Sequence, residues 1–441
     1  MSELQTPLAD LLRSCVQCGL CLPHCATYLA SGNEVQSPRG RLQLLGDLLE
    51  RGEGSPPDSY LAAFDQCIGC QACETVCPSG VPFALLAHGQ HLAADWSGGA
   101  QSGRPASAVP EPILRRMDAP GFLRLLGQVG GAARQVLKTV LGSTWRQKMA
   151  GGPAPVARLS RLLGSMPQSP AGDADLVRHL DSLIARSGRA AGAGSGAPAA
   201  VESVAGERDL MFFSGCANAG LLPASSRRLI DVLTSAGYAI SHPTGQDCCG
   251  ALAAHTGRPG RAALLQRRNE TAFARPVGAG QGPIVVEAAG CGHELKTYGS
   301  EFASRVVDAV ELLAASGLPA RRSVPLRVAF HDPCHARHGQ GITTAPRHLL
   351  ASIPDLSWCE ATEIEVCCGS GGAWGLRYPD MSADLARRKA ADLAATGADL
   401  VVTTNPGCLG QIADGLALEA PDLPILPLTD LWWYATRPNT Q

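Results

Sequence analysis

The 441-residue sequence predicts a multidomain α+β protein, in which an α-helical domain is followed by a helical linker and two repeated α/β lobes. Three observations lead to this prediction. Two cysteine runs of equal spacing lie near the N-terminus, a tract rich in Gly, Ala and Pro follows them, and a set of cysteines recurs at a nearly constant offset in the second half. A chain of this length needs more than one hydrophobic core. We therefore expect four parts, at residues 1–95, 96–208, 209–320 and 321–441.

The composition restricts where the chain works and what it binds. The formal net charge is −2 with 17% charged residues, which leaves no basic surface for nucleic acid. The first residues lack the basic and apolar regions of a secretory signal, and no run of about 18 apolar residues predicts a membrane span. We therefore expect a cytoplasmic chain, with any membrane contact peripheral on the inner face of the cytoplasmic membrane. In that compartment 17 cysteines point to metal or cluster binding, since disulfides are disfavoured there.

The two cysteine runs of the first part share the spacing C-x2-C-x2-C-x3-C, and Pro78 directly follows the second run. This pattern is typical of ferredoxins with two [4Fe-4S] clusters, in which the fourth cysteine of each run binds the cluster of the other run. The sequence therefore predicts one cluster on Cys15, Cys18, Cys21 and Cys77, and a second on Cys67, Cys70, Cys73 and Cys25. A pair of zinc sites is the alternative, but zinc sites usually combine two cysteine pairs across a spacer.

Helical patterns at 42–49 and 60–65 indicate a helical ferredoxin domain, of the kind found in respiratory enzymes, rather than the short β-rich type. Between the runs, the segment Ser-Pro-Arg-Gly-Arg brings Arg39 and Arg41 close to the first run. We expect these guanidinium groups either to raise the potential of the nearby anionic cluster or to dock a partner. The alternative is a solvated charge pair in an ordinary loop.

The middle of the chain combines flexible and helical patterns. Residues 97–110 and 187–200 are rich in small residues and predict linkers. Between them, residues 120–149 show apolar residues at helical spacing with Arg and Lys interleaved, which predicts one or two amphipathic helices. We expect their apolar face to pack on the protein's own domains, and a helix lying on a membrane surface is the alternative.

The second half of the chain is an internal repeat. Its first cysteine set recurs at offsets of 118, 119, 119 and 117 residues. The sets are Cys216, Cys248, Cys249 and Cys291, and then Cys334, Cys367, Cys368 and Cys408. Apolar runs before the first and last cysteine of each set alternate with helical patterns, which predicts two lobes with parallel sheets and the cysteines on loops at strand ends.

Such loops converge at one edge of a sheet, where ligand sites collect. Gly250 and Gly369 follow the paired cysteines and allow the backbone to turn tightly around a site. Each lobe therefore offers four cysteines for a further iron-sulfur cluster or a zinc ion, with reduced thiols as the third possibility.

Three histidines lie close to the second cysteine set. His331, His335 and His338 are candidates to take protons from a quinone or to supply a metal ligand, and a structural role is the alternative. Cys359 has no counterpart in the first lobe, and we expect it to be a small core residue.

The sequence contains no dinucleotide-binding G-x-G-x-x-G, no P-loop and no G-x-S-x-G motif in the required settings. The chain therefore has no hydride carrier of its own. We expect any two-electron chemistry, and any FAD, to belong to a partner subunit.

The order of these parts resembles the iron-sulfur subunits of glycolate oxidase, also called glycolate dehydrogenase. The matching pieces are Ser37 to Arg41 after the first run, Cys77 to Val81 at the end of the second, Gly290 to Gly292, Lys296 with Tyr298 and Gly299, Cys367 to Ser370, and Gly407 with Cys408. The resemblance implies FAD-binding subunits that oxidise glycolate to glyoxylate, with this chain relaying electrons towards a membrane acceptor such as quinone. Close relatives serve D-lactate or glycerol 3-phosphate.

Each lobe also resembles the cysteine-rich CCG domain of heterodisulfide reductase, whose motif ends in C-x2-C. Here Glu294 and Gln411 stand where the final cysteines would be. The resemblance implies a heterodisulfide-type catalytic subunit as one alternative function. A non-catalytic cluster or zinc protein acting as a sensor or scaffold is another.

Overall fold

The computed structural model describes residues 10–51, 56–87, 89–90, 116–141, 145–150, 160–161, 163–166, 169–189, 209–256, 258–274 and 282–438. The predicted linker at 97–110 and all but the first residues of the one at 187–200 lie outside these ranges. Within the described ranges no helix is both long enough and apolar enough to span a bilayer.

The first domain is helical, as predicted. Its described elements include two short 3-10 turns, at Leu22–His24 and Glu34–Gln36, and helices at Ala26–Ser31, Pro38–Arg51, Asp58–Asp65 and Ala72–Thr75. Leu45 and Phe64 are fully buried between the two longer helices, and Cys15, Cys73 and Cys77 pack against their cluster. The small core therefore lies directly beneath the cysteine runs.

The middle of the chain contributes the helices Pro120–Leu141, Trp145–Ala150 and Asp173–Ser187. The third helix buries Leu176, Leu180 and Leu183 in the core of the lobes. On the first helix, the expectation that the apolar face packs inward is only half right. Leu123 is buried against the first lobe, but a second apolar stripe on the same helix remains exposed.

The first lobe is a parallel four-stranded sheet of order β2-β1-β3-β4. Its strands are β1 (Asp209–Phe213), β2 (Ala239–Ser241), β3 (Ile284–Val286) and β4 (Val306–Asp308). Its helices are Cys216–Leu221, Pro223–Ser235, Ala251–His255, Pro259–Ala272, Ala289–Leu295, Ser300–Ala303 and Ala309–Ala315. The central strands are continuous apolar runs because helices cover both faces of the sheet.

The second lobe repeats this design with the order β6-β5-β7-β8. Its strands are β5 (Arg327–His331), β6 (Ser357–Glu360), β7 (Leu400–Thr403) and β8 (Ile425–Pro427). Its helices are Cys334–Gln340, Thr344–Ala351, Trp374–Arg377, Pro379–Ala395, Pro406–Glu419 and Leu428–Thr436. The prediction of two parallel α/β lobes is confirmed.

The two lobes share one hydrophobic core. Phe212 and Val285 of the first sheet and Phe330 of the second belong to the same buried cluster, together with Trp432 of the last helix. A buried ion pair joins the lobes in the same region, since Arg228 Nη1 lies 3.1 Å from Asp430 Oδ2. Both lobes therefore pack as one unit.

The sheet topology explains where the cysteines meet. In each lobe the first strand of the repeat lies between the next two, so that chain connections leave it in opposite directions. The carboxyl ends of the two central strands then form a crevice that favours ligand binding. Cys216 and Cys291 follow these strands in the first lobe, and Cys334 and Cys408 follow them in the second.

The expectation that all the cysteines lie on loops is partly wrong. The paired cysteines do lie on loops, but the four that follow central strands lie in the first turns of helices. Parallel strands connect into helices over a few residues, so a residue close to a strand end falls in the next helix.

Candidate metal centres of the cysteine clusters

The cysteines of the two N-terminal runs approach one another across the first domain. Cys25, the last of the first run, lies close enough to Cys67, Cys70 and Cys73 to act electrostatically on all three. Burial is the largest cause that raises the pKa of each of these three thiols, and the neighbouring Cys25 raises each further. A metal that displaces the protons removes this penalty, so the donor set fits a cluster.

Each run has one buried cysteine, Cys25 in the first and Cys70 in the second, but only the first run has an exposed one, Cys18. At the end of the second run, the backbone N–H of Val81 donates to Cys77 Sγ over 3.4 Å. Hydrogen bonds to ligand sulfur help to set cluster potentials.

The two arginines between the runs have different roles. Arg41 is buried, and its guanidinium donates to the Ala63 carbonyl (2.7 Å). Burial raises the pKa of Cys67, and the Arg41 charge opposes part of that rise. Arg39 pairs with Glu34 at 2.6 Å, and this ion pair raises the pKa of Arg39. Both arginines therefore lie near a cysteine run. Arg41 lies beside the second run, and Arg39 interacts electrostatically with Cys21 of the first run and donates to the Gln17 carbonyl over 3.0 Å. Their effect on a cluster potential stays a prediction.

In the first lobe the four cysteines form a connected set. Cys216 Sγ donates to Cys248 Sγ over 3.4 Å, and Cys249 is hydrogen bonded to both Cys248 and Cys291. The hydrogen bonds from Cys216 and Cys249 hold the pKa of Cys248 well below its usual range. All four are buried and linked through sulfur, so together they could hold one metal centre.

The second lobe brings its cysteines together in the same way. Cys334 Sγ and Cys367 Sγ are 3.9 Å apart, and Cys368 is hydrogen bonded to Cys367 and Cys408. The hydrogen bond to Cys367 and burial raise the pKa of Cys334.

Gly250 and Gly369 both adopt the positive φ that their position in the repeat predicts, at 97° and 86°. A side chain at Gly369 would also lie 2.6 Å from the Cβ of Leu385, which only glycine avoids. The Gly369 N–H donates to Cys367 Sγ over 3.5 Å. Glycine thus allows the backbone to approach the sulfur atoms.

Two charged or polar side chains of the second lobe face the same sulfur atoms. His331 Nε2 or Nδ1, Cys368 Sγ and Cys408 Sγ lie within 4.8 Å of one another. Lys389 is 1% exposed and lies close enough to Cys367 and Cys368 to act on them electrostatically. Sequence reasoning missed Lys389, since nothing in its local pattern distinguishes it from a solvated helix lysine.

The three histidines near the second cysteine set separate in the structure. His331 lies at the sulfur atoms, but His335 packs on His293 of the first lobe with ring centroids 4.7 Å apart. The hydroxyl of Thr75 in the first domain lies 2.9 Å from His338 Nδ1. Only His331 is therefore positioned as a ligand within its lobe, and His335 and His338 connect domains.

The positions of the absent final cysteines also differ between the lobes. Glu294 is half-buried, and burial followed by the nearby Cys248 raises its pKa to about 7. Gln411 is buried and donates to the Ser382 carbonyl over 2.7 Å. Glu294 therefore faces the first sulfur set, whereas Gln411 supports the helix packing.

Cys359 lies half-buried on β6 at the edge of the core, as expected.

The second N-terminal run is packed against the second lobe. Cys70 and Cys367 belong to one buried hydrophobic cluster. Burial is the largest cause that raises the pKa of Cys70, and the nearby Cys334 raises it further. Trp374 anchors this contact, because its indole N–H donates to the Gln66 carbonyl over 3.0 Å. His335 Nε2 donates to the Gly69 carbonyl over 3.2 Å at the same interface.

Comparisons with known proteins agree with this arrangement. A family model described as a 4Fe-4S dicluster domain matches residues 11–81. A second model, described as a cysteine-rich domain, matches residues 210–296 and again residues 328–413.

Curated relatives resemble the chain over most of its length. A probable glycolate oxidase iron-sulfur subunit of Bacillus subtilis is 29% identical over 92% of this chain and 90% of its own. The glycolate oxidase iron-sulfur subunit of Escherichia coli is 28% identical over the same shares. One subunit of the dihydromethanophenazine:CoB–CoM heterodisulfide reductase of Methanosarcina mazei is 24% identical over 92% of this chain and 89% of its own.

Buried, converging thiols and these matches lead to one conclusion. The chain contains a region that matches a 4Fe-4S dicluster domain and two regions that match a cysteine-rich domain, and it is similar along 92% of its length to the iron-sulfur subunits of glycolate oxidase.

Proposed function

We propose that this chain is the electron-transfer subunit of a glycolate oxidase complex, working between an FAD-binding partner that oxidises glycolate to glyoxylate and a membrane acceptor such as quinone. The contact of Cys70 with the second-lobe cysteines carries the proposal. It supports a continuous series of metal-binding residues from the first domain into the second lobe. Iron-sulfur clusters on these cysteines would supply one-electron transfer, and the partner's flavin would supply the two-electron step.

The difference in exposure supports a direction for this series. The first run is near the surface, and large apolar side chains around it are exposed. They are Leu11 (43%), Val16 (67%), Leu20 (54%) and Val35 (41%). An exposed apolar rim around an accessible donor site is typical of a protein-docking surface. We assign this rim to the flavin-bearing partner.

An exposed stripe on helix Pro120–Leu141 supports a peripheral membrane contact. Its residues recur at intervals of four and seven, which keeps them within about 60° of arc on one face. They are Leu125, Val129, Val136 and Val140, each more than half exposed. No acidic residue lies between Asp118 and Asp173, and Arg124, Lys138 and Lys148 are exposed. An apolar stripe on a segment that carries cations and no acids suits an anionic lipid surface.

The relay is tested by reducing the chain through its partner. The full chain and the flavoprotein that copurifies with it are mixed without oxygen, and glycolate, D-lactate or glycerol 3-phosphate is added in turn. Glycolate should bleach the cluster absorbance of the chain only when the flavoprotein is present. Bleaching by D-lactate or glycerol 3-phosphate alone would assign the complex to that substrate. No bleaching with any of the three, with the clusters intact, would contradict the relay.

Docking is tested with Leu20→Glu, which places a charge in the apolar rim without changing a cysteine. The variant should keep its clusters but be reduced more slowly by the flavoprotein. The control is Val140→Glu, which places the same charge at an exposed residue of the proposed membrane stripe. A charge at Leu49 would not serve as a control, because Leu49 packs in the domain core. Equal slowing in both variants would contradict the assignment of the rim.

A heterodisulfide-reducing activity is the second candidate, favoured by the similarity to the Methanosarcina protein. The isolated, reduced chain should then cleave a heterodisulfide without the flavoprotein. Glu294 and Gln411 at the final cysteine positions are the observation against it. A redox sensor or scaffold remains the third candidate, and the finding of zinc without any reducible cluster signal would favour it.

A further inference from the structure

The two lobes are not chemically equivalent at their sulfur clusters. His331 is the last residue of β5 and precedes Cys334 by three residues, whereas Phe213 is the last residue of β1 and precedes Cys216 by three residues. The repeat therefore places an imidazole in the second lobe where the first has a phenyl ring. Phe213 packs within the apolar core of its lobe, on the ring of Phe273.

His331 combines nearly complete burial with a position beside two cysteine sulfur atoms. It is 2% exposed, and its Nε2 has no hydrogen-bond partner among the residues that the structure describes. Leaving a buried polar nitrogen unpaired is unfavourable, because the nitrogen gives up its hydrogen bond to water and gains none in return. The donor atoms of Cys368 and Cys408 lie within 4.8 Å of the imidazole donor and of each other, which is within reach of one metal ion.

Lys389 provides an independent sign that this site carries negative charge. It occupies the tenth position after the proline that begins helix Pro379–Ala395, and Asn269 has the same position in helix Pro259–Ala272. Lys389 is 1% exposed, and its nearest carboxylate, that of Asp392, lies 3.9 Å away. Its ammonium also donates to the Glu363 carbonyl, and the Glu363 charge acts on it electrostatically together with Cys367 and Cys368. A buried ammonium needs anionic neighbours, and cysteines that bind a metal as thiolates would supply them.

We propose that His331 is a ligand of the metal centre of the second lobe, together with Cys368 and Cys408. The second lobe then holds a mixed sulfur and nitrogen centre, while the first lobe has no histidine at the corresponding position. Thiolate and imidazole donors suit either zinc or an iron atom of an iron-sulfur cluster. The proposal does not depend on the relay function, because it concerns the metal content of the chain alone.

The proposed ligand has a consequence for electron transfer if the metal is iron. Neutral imidazole in place of thiolate makes a centre less negative, and the Lys389 ammonium acts in the same direction. Both changes favour the reduced form, as they do in clusters where histidine replaces cysteine. The second-lobe centre should therefore accept electrons more readily than the first-lobe centre.

The test uses the full chain, purified without oxygen and labelled with ¹⁵N-histidine. Iron and zinc are counted per chain, and coordinated nitrogen is sought by pulsed electron paramagnetic resonance for iron or by X-ray absorption at the zinc edge. The wild-type chain should contain metal beyond that of its two N-terminal clusters, with a histidine nitrogen bound to it. A wild-type chain with no extra metal, or with extra metal and no bound nitrogen, overturns the proposal.

Variants then assign the nitrogen to one residue. His331→Phe installs the residue of the first lobe and should abolish the bound-nitrogen signal, and Cys408→Ser should lose the same metal. His348→Phe, at a half-buried histidine of the same lobe outside the donor group, should change neither. A nitrogen signal that persists in His331→Phe overturns the assignment. If that variant does not fold, His331→Cys replaces it, since a thiolate should retain the metal while the nitrogen signal disappears.

Discussion

His331 ends strand β5 where Phe213 ends strand β1, so the same point of the repeat is polar in one lobe and apolar in the other. Two further positions near the cysteines also differ between the lobes, in charge or in contacts. Lys389 corresponds to Asn269, and Gln411 supports packing where Glu294 faces sulfur. A duplicated backbone can thus hold two centres of different charge, because the fold depends on the apolar positions and the few residues facing the cysteines are free to differ.

The ligands of the N-terminal clusters should cross between the runs. Cys25 acts on Cys67, Cys70 and Cys73, which supports its membership in the second cluster. Cys77→Ser should therefore damage the first cluster, and Cys25→Ser the second, because a hydroxyl is a poor ligand for iron. Electron paramagnetic resonance of the reduced variants measures each cluster separately.

Same-run variants are the controls for this prediction. Cys18→Ser should damage the first cluster and Cys70→Ser the second. If Cys77→Ser gives the spectrum of Cys70→Ser, the runs bind independently and the crossing is wrong.

The stability of the first lobe should fall as pH rises from 4 to 7 because of Asp308. This carboxyl is 1% exposed, and burial raises its pKa to about 7, from an ordinary value of 3.8. The folded chain therefore keeps a proton through a pH range in which the unfolded chain has lost it. The contribution of Asp308 to the free energy of unfolding is fully present below pH 4. It decreases as the pH rises and is lost once the pH passes 7, a total change of up to about 4 kcal/mol.

In the wild-type chain the Val310 N–H donates to Asp308 Oδ1 over 2.8 Å. Asp308→Asn should remove the pH dependence and retain this helix cap, because the amide oxygen of Asn can accept the same hydrogen bond. The midpoint of thermal unfolding is measured at several values of pH between 5 and 8. The variant should be the more stable protein at pH 8. A wild-type profile as flat as that of the variant would show that Asp308 ionises normally.

Arg228 and Asp430 should contribute strongly to the joining of the lobes. Both side chains are fully buried, and Arg228 also donates to the Pro170 carbonyl over 2.7 Å. Arg228→Met leaves the Asp430 carboxylate buried without its counter-charge, which should cost about 3–5 kcal/mol. Thermal or urea unfolding measures this loss.

Arg178→Met is the matched control, since Arg178 pairs with Asp175 on the surface with side chains 72% and 57% exposed. An exposed pair of this kind contributes less than about 0.5 kcal/mol. Equal losses of stability in the two variants would contradict the prediction that the buried pair stabilises the contact between the lobes.

Membrane binding should depend on the exposed stripe of helix Pro120–Leu141. The double substitution Val136→Asp and Val140→Asp should weaken cosedimentation with phosphatidylglycerol vesicles by about tenfold or more, since each valine contributes on the order of 1 kcal/mol. Phosphatidylcholine vesicles should bind the wild-type chain weakly.

The control adds the same charge at Gln128→Asp and Gln135→Asp, two exposed positions on the polar side of this helix. It should lose less affinity than the valine variant. If both variants retain vesicle binding but lose the flavoprotein, the stripe is a protein interface.

Short-range patterns in the sequence were sufficient for much of the architecture. The spacing of the N-terminal cysteines and the matching domain model agree, and the constant offset of the second-half cysteines predicted two parallel-sheet lobes. Gly250 and Gly369 were also predictable, because a positive φ after adjacent ligands is a local requirement of the backbone.

What the sequence determined by itself is therefore periodic or local: the cysteine spacing, the repeat, the glycine turns and the amphipathic helices. The tertiary structure alone decided that Cys70 packs beside Cys334, that His331 faces sulfur while His335 connects domains, and that Lys389 is buried. The physical reason is that these relations arise from packing between segments hundreds of residues apart. Side-chain burial and electrostatic proximity depend on that packing, and no local pattern in the chain encodes them.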